Sequence, residues 1–502
     1  MDPRAGAERL PPELFEFFAL TEPQTLLVRG PPGSGKTMLS QTILEVLPGQ
    51  KIYVSTRVRK KNLVKQFPAL AGLADHGHFI VDATDSALSR PDPAHLQSAI
   101  RGLLKNPHEA GELARFVWLP PAIQEAWSQL DPRKLALVVV DSWDALVDQY
   151  LGRHAPSETA LPDRAEVERL LVDRMSESRA HLVLVQERDG PTAFDYLADG
   201  IAVTSRESVD GRLERWLTFP KLRGIAVEND TYPFTLHRGR FAVLPPFRLR
   251  NGRVRSVPEP EHRPGFLWPG VAAFADQFGW LPQGRPSLVE YDPDIPFAFL
   301  PLLLGPAIHA TLRAGGYVVI TPPPWRPLKD VWAAYAEGTP PEDRVIDRLR
   351  VAAPAPPEDE QLKKIAMDVG GPGGFSDRMI MLGKAITFLH PASEKGVPSL
   401  LILSATGSTT ANSSGPTDPR WSSLDAELQQ RILKESHLHA CVTGSTGNPL
   451  VEDLKTTASI HILARWRQGR VLLYGVKPRT RGYALVDQPE NEREQFSLIE
   501  IV

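Results

Sequence analysis

A chain of 502 residues exceeds what one ordinary hydrophobic core sustains and predicts two or three domains. Hydrophobic residues make up 42% and charged residues 23%, a globular balance that excludes a disordered or fibrous class. Lys plus Arg (57) nearly matches Asp plus Glu (60), so the formal charge of -3 lacks the basic excess of a dedicated nucleic-acid binder.

Cys441 is the one cysteine, so no intramolecular disulfide or cysteine metal cluster forms, as expected in a reducing cytosol. The opening MDPRAGAERLPPELFEFF lacks the basic start and apolar run of a signal peptide. No stretch approaches the ~20 apolar residues that span a bilayer. The expectation is a soluble, cytoplasmic protein with no membrane partner.

In chain order, Thr25–Arg29 (TLLVR) is a short apolar run that ends in glycine and proline, followed by a helical pattern over Lys36–Leu47. Lys51–Ser55 is a second strand candidate. Leu135–Val140 and His181–Gln186 are continuous apolar runs, as expected of strands buried on both faces of a parallel sheet, with Pro162–Ala180 between them reading as a helix. This alternation predicts an α/β domain with a mostly parallel sheet. Gly200–Thr204, Glu214–Pro220, Tyr232–Leu236 and Gly239–Leu244 then read as short strands, and Arg248–Pro264 as a linker. The expected division is residues 1–247, a linker over 248–265, and a second domain over 266–502.

The second half restarts with Pro286–Tyr291, a helix around Pro301–Arg313, and strands at Gly315–Ile320, Ser399–Ser404, Leu438–Thr443, Ala458–Leu463 and Arg470–Tyr474. Val351–Gln361 and Asp368–Asp377 read as loops. The order echoes the first half and suggests a diverged duplication.

Gly30, Pro31, Pro32, Gly33, Ser34, Gly35, Lys36 and Thr37 spell GPPGSGKT, a complete G-x-x-x-x-G-K-[ST] between a strand and a helix, with Met38 next. Glycines let the backbone curl so that N–H groups point at the β- and γ-phosphates, and the helix start adds its positive dipole end. Lys36 reaches the same phosphates, and the Thr37 hydroxyl is a magnesium ligand. Asp141, after the run LALVVV, supplies the carboxylate that organises the metal, its alternative being a helix cap. The cofactors expected are ATP and Mg2+.

VVVDSWDAL is similar to the Walker B segment of RecA-superfamily ATPases of the KaiC and RadA group, and Tyr196–Gly224 resembles the KaiC-type hairpin with its K-x-R-G segment. With QTLLVRGPPGSGKT, the nearest likeness is to GvpD-like proteins, archaeal regulators of gas-vesicle formation, over roughly residues 10–245. The resemblance implies a RecA-like fold and a homo-oligomer, a hexameric ring or a filament, with ATP between neighbouring subunits. It places Lys221 and Arg223 against the nucleotide of the adjacent protomer, where a cation stabilises charge on the γ-phosphate. Gln186 stands where such proteins keep a polar γ-phosphate sensor.

The departures concern catalysis. KaiC-like ATPases carry a glutamate pair after the second strand, whereas this chain has Ser55, Thr56 and Arg57, which cannot act as a general base near neutral pH. Glu187 and Asp144 are the substitutes, each with a plain alternative as a solvated loop charge or a first-turn helix residue. Slow hydrolysis is expected. In the second half Asp292–Ala298 (DPDIPFA) replaces the phosphate loop, Ser404 replaces Asp141, and Lys477–Thr480 echoes the K-x-R-G placement, which reads as a degenerate RecA-like domain or an unrelated α/β domain. His437, His439 and Cys441 do not make a closed metal shell, and Arg57–Lys61 reads as the solvated start of a helix. The leading function is a nucleotide-controlled regulator with a protein partner. The alternatives are a DNA-handling RecA/RadA-like ATPase, disfavoured by the short acidic segment after Gln186, and a non-hydrolysing scaffold.

Overall fold

The computed structural model describes residues 9–67, 79–84, 130–131, 133–146, 165, 169, 180–187, 192, 194–248, 256–322, 327–333, 335, 346–353, 355–369, 375–406, 427, 430–432, 434, 436–443, 449–488 and 493–502. Contacts divide the chain into Met1–Leu244 with Ile501–Val502, and Pro245–Glu500. No helix among the described residues is long and apolar enough to cross a membrane.

The first unit is built on β1 (Thr25–Arg29), β2 (Gln50–Ser55), β3 (Phe79–Asp82), β4 (Ala136–Asp141), β5 (Ala180–Val185), β6 (Gly200–Val209), β7 (Arg212–Leu222), β8 (Thr231–Thr235) and β9 (Ala242–Val243). They form one sheet in the order β3-β2-β4-β5-β1-β6-β7-β8-β9, parallel from β3 to β6 and antiparallel thereafter. The apolar runs at β4 and β5 follow from burial on both faces. Leu137 and Val139 of β4 pack into one core, and Ala136, Val138 and Val140 into the other. Helix α1 (Lys36–Val46) contributes Leu39, Ile43 and Leu44 to the first of these cores. Of the helix expected over Pro162–Ala180, only residues 165 and 169 are described before the strand, and both are helical; Ala180 itself opens β5.

The second unit has β10 (Phe266–Leu267) paired with β11 (Leu281–Pro282), and a larger sheet of β12 (Ser287–Tyr291), β13 (Tyr317–Thr321), β14 (Leu349–Ala353), β15 (Ala366–Asp368), β16 (Ser399–Thr406), β17 (His437–Thr443), β18 (Ile460–Arg467), β19 (Arg470–Lys477), β20 (Gly482–Asp487) and β21 (Phe496–Ile501). Its order is β15-β14-β13-β16-β17-β12-β18-β19-β20-β21. Renumbered from its own first strand, that is the order of the first sheet with one extra edge strand. The RecA-like frame therefore occurs in both halves. Two loop readings need correction. Val351–Ala353 complete β14, and Glu360–Gln361 begin helix α2 (Glu360–Ile365), capped by Asp359, whose side chain accepts from the amides of Gln361 and Leu362. Phe375–Asp377 open helix α3 (Phe375–Lys395), so only the glycine-rich middle of that stretch lies outside the described residues. Proline and glycine near an element's edge masked elements that begin beside them.

Candidate nucleotide site

The site lies at the carboxyl ends of β1 and β4, where open α/β sheets place their ligands. β1 ends at Arg29, and the loop turns through Gly30 (φ 148°), Gly33 (φ 73°) and Gly35 (φ 109°) before α1 starts at Lys36. At Gly30 the reason for glycine is contact, since a Cβ there would lie 2.0 Å from the carbonyl oxygen of Thr204. Ser34 Oγ lies 2.6 Å from Thr204 Oγ1, tying the loop to β6. The backbone N–H groups of Gly33 and Gly35 make no hydrogen bond among the described residues. Pro31 and Met38 are half-buried and Pro32 is exposed, and Met38 packs against the core under α1.

Lys36 is buried, and its Nζ donates to the carbonyl oxygens of Gly30 (2.5 Å) and Pro31 (3.1 Å) within its own loop. The Thr37 hydroxyl donates to Asp141 Oδ2 at 2.8 Å. Tyr53, from the neighbouring strand β2, donates its hydroxyl to the same oxygen at 2.7 Å. Burial, then the Asp141 charge and hydrogen bond, raise the Tyr53 pKa well above the usual phenol range, so it stays a donor. The sequence reading missed Tyr53. The signal available was its register, one strand over from β4 and two residues before the strand end.

Gln186 follows β5, and its amide donates to Val28 of β1. It is fully buried, yet neither side-chain amide atom finds a partner among the described residues. Such a group costs stability unless something arrives to satisfy it. The two substitute carboxylates are engaged. Glu187 pairs with Arg57 at 2.5 Å, and buried Asp144 accepts the Glu187 amide at 2.6 Å, holding the chain as it leaves β5. Arg57 thus occupies the region where the glutamate pair was expected and draws Glu187 to itself.

Lys221 and Arg223 are not at this loop. β7 runs antiparallel to β6, and Leu222 pairs with Gly200, which lies beside Leu26 near the amino end of β1. Lys221 Nζ donates to the carbonyl oxygens of Asp195 (3.0 Å) and Tyr196 (3.4 Å), and Arg223 reaches the Tyr196 carbonyl oxygen (3.1 Å) and Asp199 (3.7 Å). Within one chain they and the phosphate loop sit at opposite ends of the sheet.

The residues fit a magnesium nucleotide. Uncommitted loop amides and a helix start suit phosphate oxygens, Lys36 supplies charge, and the Thr37 hydroxyl with the Asp141 carboxylate is a hard oxygen pair suited to magnesium.

Comparison with known proteins agrees with this geometry. Residues 14–220 match the family of the GvpD gas vesicle protein, P-loop domain. The chain is 31% identical to Protein GvpD2 of Halobacterium salinarum over 259 residues, 51% of this chain and 48% of that protein. It is 30% identical to Protein GvpD1 of the same organism over 247 residues, 49% and 42% of the two chains. The chain therefore spans about half the length of the curated relatives it matches, or less. The GvpD likeness drawn from the motif wording holds over residues 14–220, which match a P-loop domain.

Proposed function

We propose that the first unit binds ATP with magnesium and acts as a slow, nucleotide-controlled regulatory ATPase of the gas-vesicle type. The observation that carries this reading is the hydroxyl of Thr37 on the carboxylate of Asp141 beside the Lys36 loop. Lys36, released from Gly30 and Pro31, neutralises phosphate charge, while Thr37 and Asp141 hold the metal. Gln186 gains partners when a terminal phosphate is present, which couples the end of β5 to nucleotide state. Slow turnover follows from Glu187 and Asp144 being engaged in structural contacts.

Assembly as a homo-oligomer, a ring or filament with nucleotide at subunit contacts, belongs to the same reading. Its support is the exposed position of Arg223 and the distance of Lys221 and Arg223 from the loop of their own chain, which leaves them available to a neighbour's nucleotide. The second unit, whose loop lacks lysine, serves assembly or partner binding.

The test is equilibrium binding of a fluorescent ATP analogue with and without magnesium, together with sizing in ADP and in a non-hydrolysable ATP analogue. Wild type binds in magnesium, Lys36→Ala does not, and assembly size changes with the nucleotide. Absence of magnesium-dependent binding by wild type refutes the reading. Arg223→Ala is expected to bind nucleotide but to lose its coupling to assembly.

A further inference from the structure

The β6–β7 hairpin pairs Arg206 with Arg215 and, one step along, Glu207 with Glu214. Side chains alternate across a strand, so the two arginines share one face and the two glutamates the other. The arginine face is also that of Thr204, whose hydroxyl meets Ser34 and whose carbonyl closes on Gly30. It is therefore the face turned to the phosphate loop.

Both arginines meet the loop at Gly33. Arg215 is buried and donates through Nη1 to the Gly33 carbonyl oxygen at 2.8 Å, and through Nε to the main-chain oxygen of Val502, in the same unit, at 2.6 Å. Burial, and after it the charge of Arg206, lower the Arg215 pKa. Arg206 is exposed, and its Nη1 lies 3.2 Å from where a Cβ on Gly33 would stand. Among the described residues no carboxylate pairs with Arg206. Like charges set opposite each other on an antiparallel ladder repel. A cation held beside a phosphate loop with no carboxylate partner among the described residues marks a place for an incoming anion.

The second unit supplies an internal comparison. Arg29 of β1 stands beside Val203 of β6, and Tyr291 of β12 beside Ala464 of β18. Counting three residues on from each partner sets Arg467 where Arg206 stands. Asp292 directly follows β12, as Gly30 follows β1. It accepts from Arg465 Nη1 at 2.9 Å and from the Trp466 amide at 2.8 Å, with Arg467 at 3.9 Å. There the loop itself provides the anion for the hairpin's arginines. In the first unit the loop is glycine, and provides none.

We propose that Arg206, placed by the Arg215–Gly33 contact, binds the phosphate chain of the nucleotide in cis, so that the β6–β7 hairpin flanks the loop on the side away from Asp141. This deepens the nucleotide reading above and rests on it. Arg215 is a positioning residue, since its contact is with the loop.

The experiment is titration of the full chain with fluorescent ATP and ADP analogues in magnesium, for wild type, Arg206→Ala, Arg206→Gln, Arg206→Lys and Lys36→Ala, with the melting temperature of each in the absence of nucleotide. Loss of one charge-assisted contact weakens binding by about ten-fold or more in Arg206→Ala and Arg206→Gln. Arg206→Lys keeps the charge and recovers most of the affinity. The nucleotide-free melting temperature of Arg206→Ala stays level or rises, because the repulsion with Arg215 is gone. Wild-type affinity in both neutral variants overturns the proposal, as does a loss of affinity accompanied by a lower nucleotide-free melting temperature. If wild type itself fails to bind, the nucleotide reading falls, and the Arg206 assignment with it. If wild type binds, Lys36→Ala does not, and Arg206→Ala is unaffected, only the Arg206 assignment falls.

Discussion

Acidification from pH 8 to pH 5 should destabilise the first unit through His181, and the size of the effect follows from its environment. His181 is the second residue of β5, next to the start of β1, buried at 3% exposure. Its Nδ1 accepts the Gln24 amide at 2.9 Å, its ring packs edge-on against Phe18, and its Nε2 has no partner among the described residues. Burial outweighs the opposing pull of the Phe18 backbone and lowers its pKa from 6.5 to about 4. A histidine with a depressed folded pKa contributes stability that is intact above 6.5 and drains away as pH falls toward the folded value. The full span of roughly 2.5 units corresponds to about 3 kcal/mol, of which about 2 kcal/mol is lost by pH 5. His181→Asn removes the titration while keeping an acceptor for the Gln24 amide. Hydrogen exchange of the β1 and β5 amides reports this unit without interference from the other. The stability difference between wild type and His181→Asn should change by about 2 kcal/mol between pH 8 and pH 5, in the direction of a weaker wild type at low pH. A difference that stays constant across that range refutes the reasoning.

Three further substitutions probe the loop and its support. Gln186→Met fills the same space without orphaned polar atoms, so the nucleotide-free unit should gain about 1 kcal/mol by hydrogen exchange while the preference for ATP over ADP narrows. Tyr53→Phe leaves Asp141 Oδ2 with the Thr37 hydroxyl as its one side-chain donor among the described residues; a loss of about 1–3 kcal/mol in thermal unfolding and weaker magnesium-dependent binding are expected. Gly30→Ala drives a methyl group into the Thr204 carbonyl at a φ of 148°; roughly 2–4 kcal/mol of destabilisation and loss of nucleotide binding should follow, measured by melting and by titration.

What the sequence disclosed was what depends on local order. GPPGSGKT carries its geometry in consecutive residues, and the runs at β4 and β5 announce burial on both faces by being apolar throughout. Asp141 was readable because it ends such a run. Tyr53 and Arg206 were not, because each acts through a neighbouring strand, and strand order is a long-range property. β2 lies beside β4 across 80 or more residues of chain, and β6 lies beside β1 across about 170. Lys221 and Arg223 drew attention through the likeness to the K-x-R-G segment, and the antiparallel return of β7 carries them to the far end of the sheet from the loop. β14 and the start of α3 were hidden for a different reason, in that prolines and glycines next to them read as loop.

The two units have one sheet order but opposite loops, and the contrast locates where nucleotide chemistry resides. In the first, the amides of Gly33 and Gly35 have no partner among the described residues, and Lys36 follows at once. In the second, the loop folds onto itself. The Ile295 amide donates to the Asp292 carbonyl oxygen, Phe299 to Pro296, and Leu300 to Phe297. The helix that follows (Phe299–Arg313) buries Phe299, Leu300, Leu302, Leu303 and Leu304 from its first turns. A phosphate there would meet a carboxylate at Asp292 and no lysine in the loop, so electrostatics oppose it. Restoring a single Gly-Lys step would not reverse this, because Asp292 also holds Arg465 and the Trp466 amide. Asp292→Gly alone should destabilise the second unit by leaving Arg465 without that partner, by about 1–3 kcal/mol, and should create no nucleotide affinity in a chain whose first loop is disabled by Lys36→Ala. Measurable ATP binding by that double variant would mean that the frame, and not the loop, sets the chemistry.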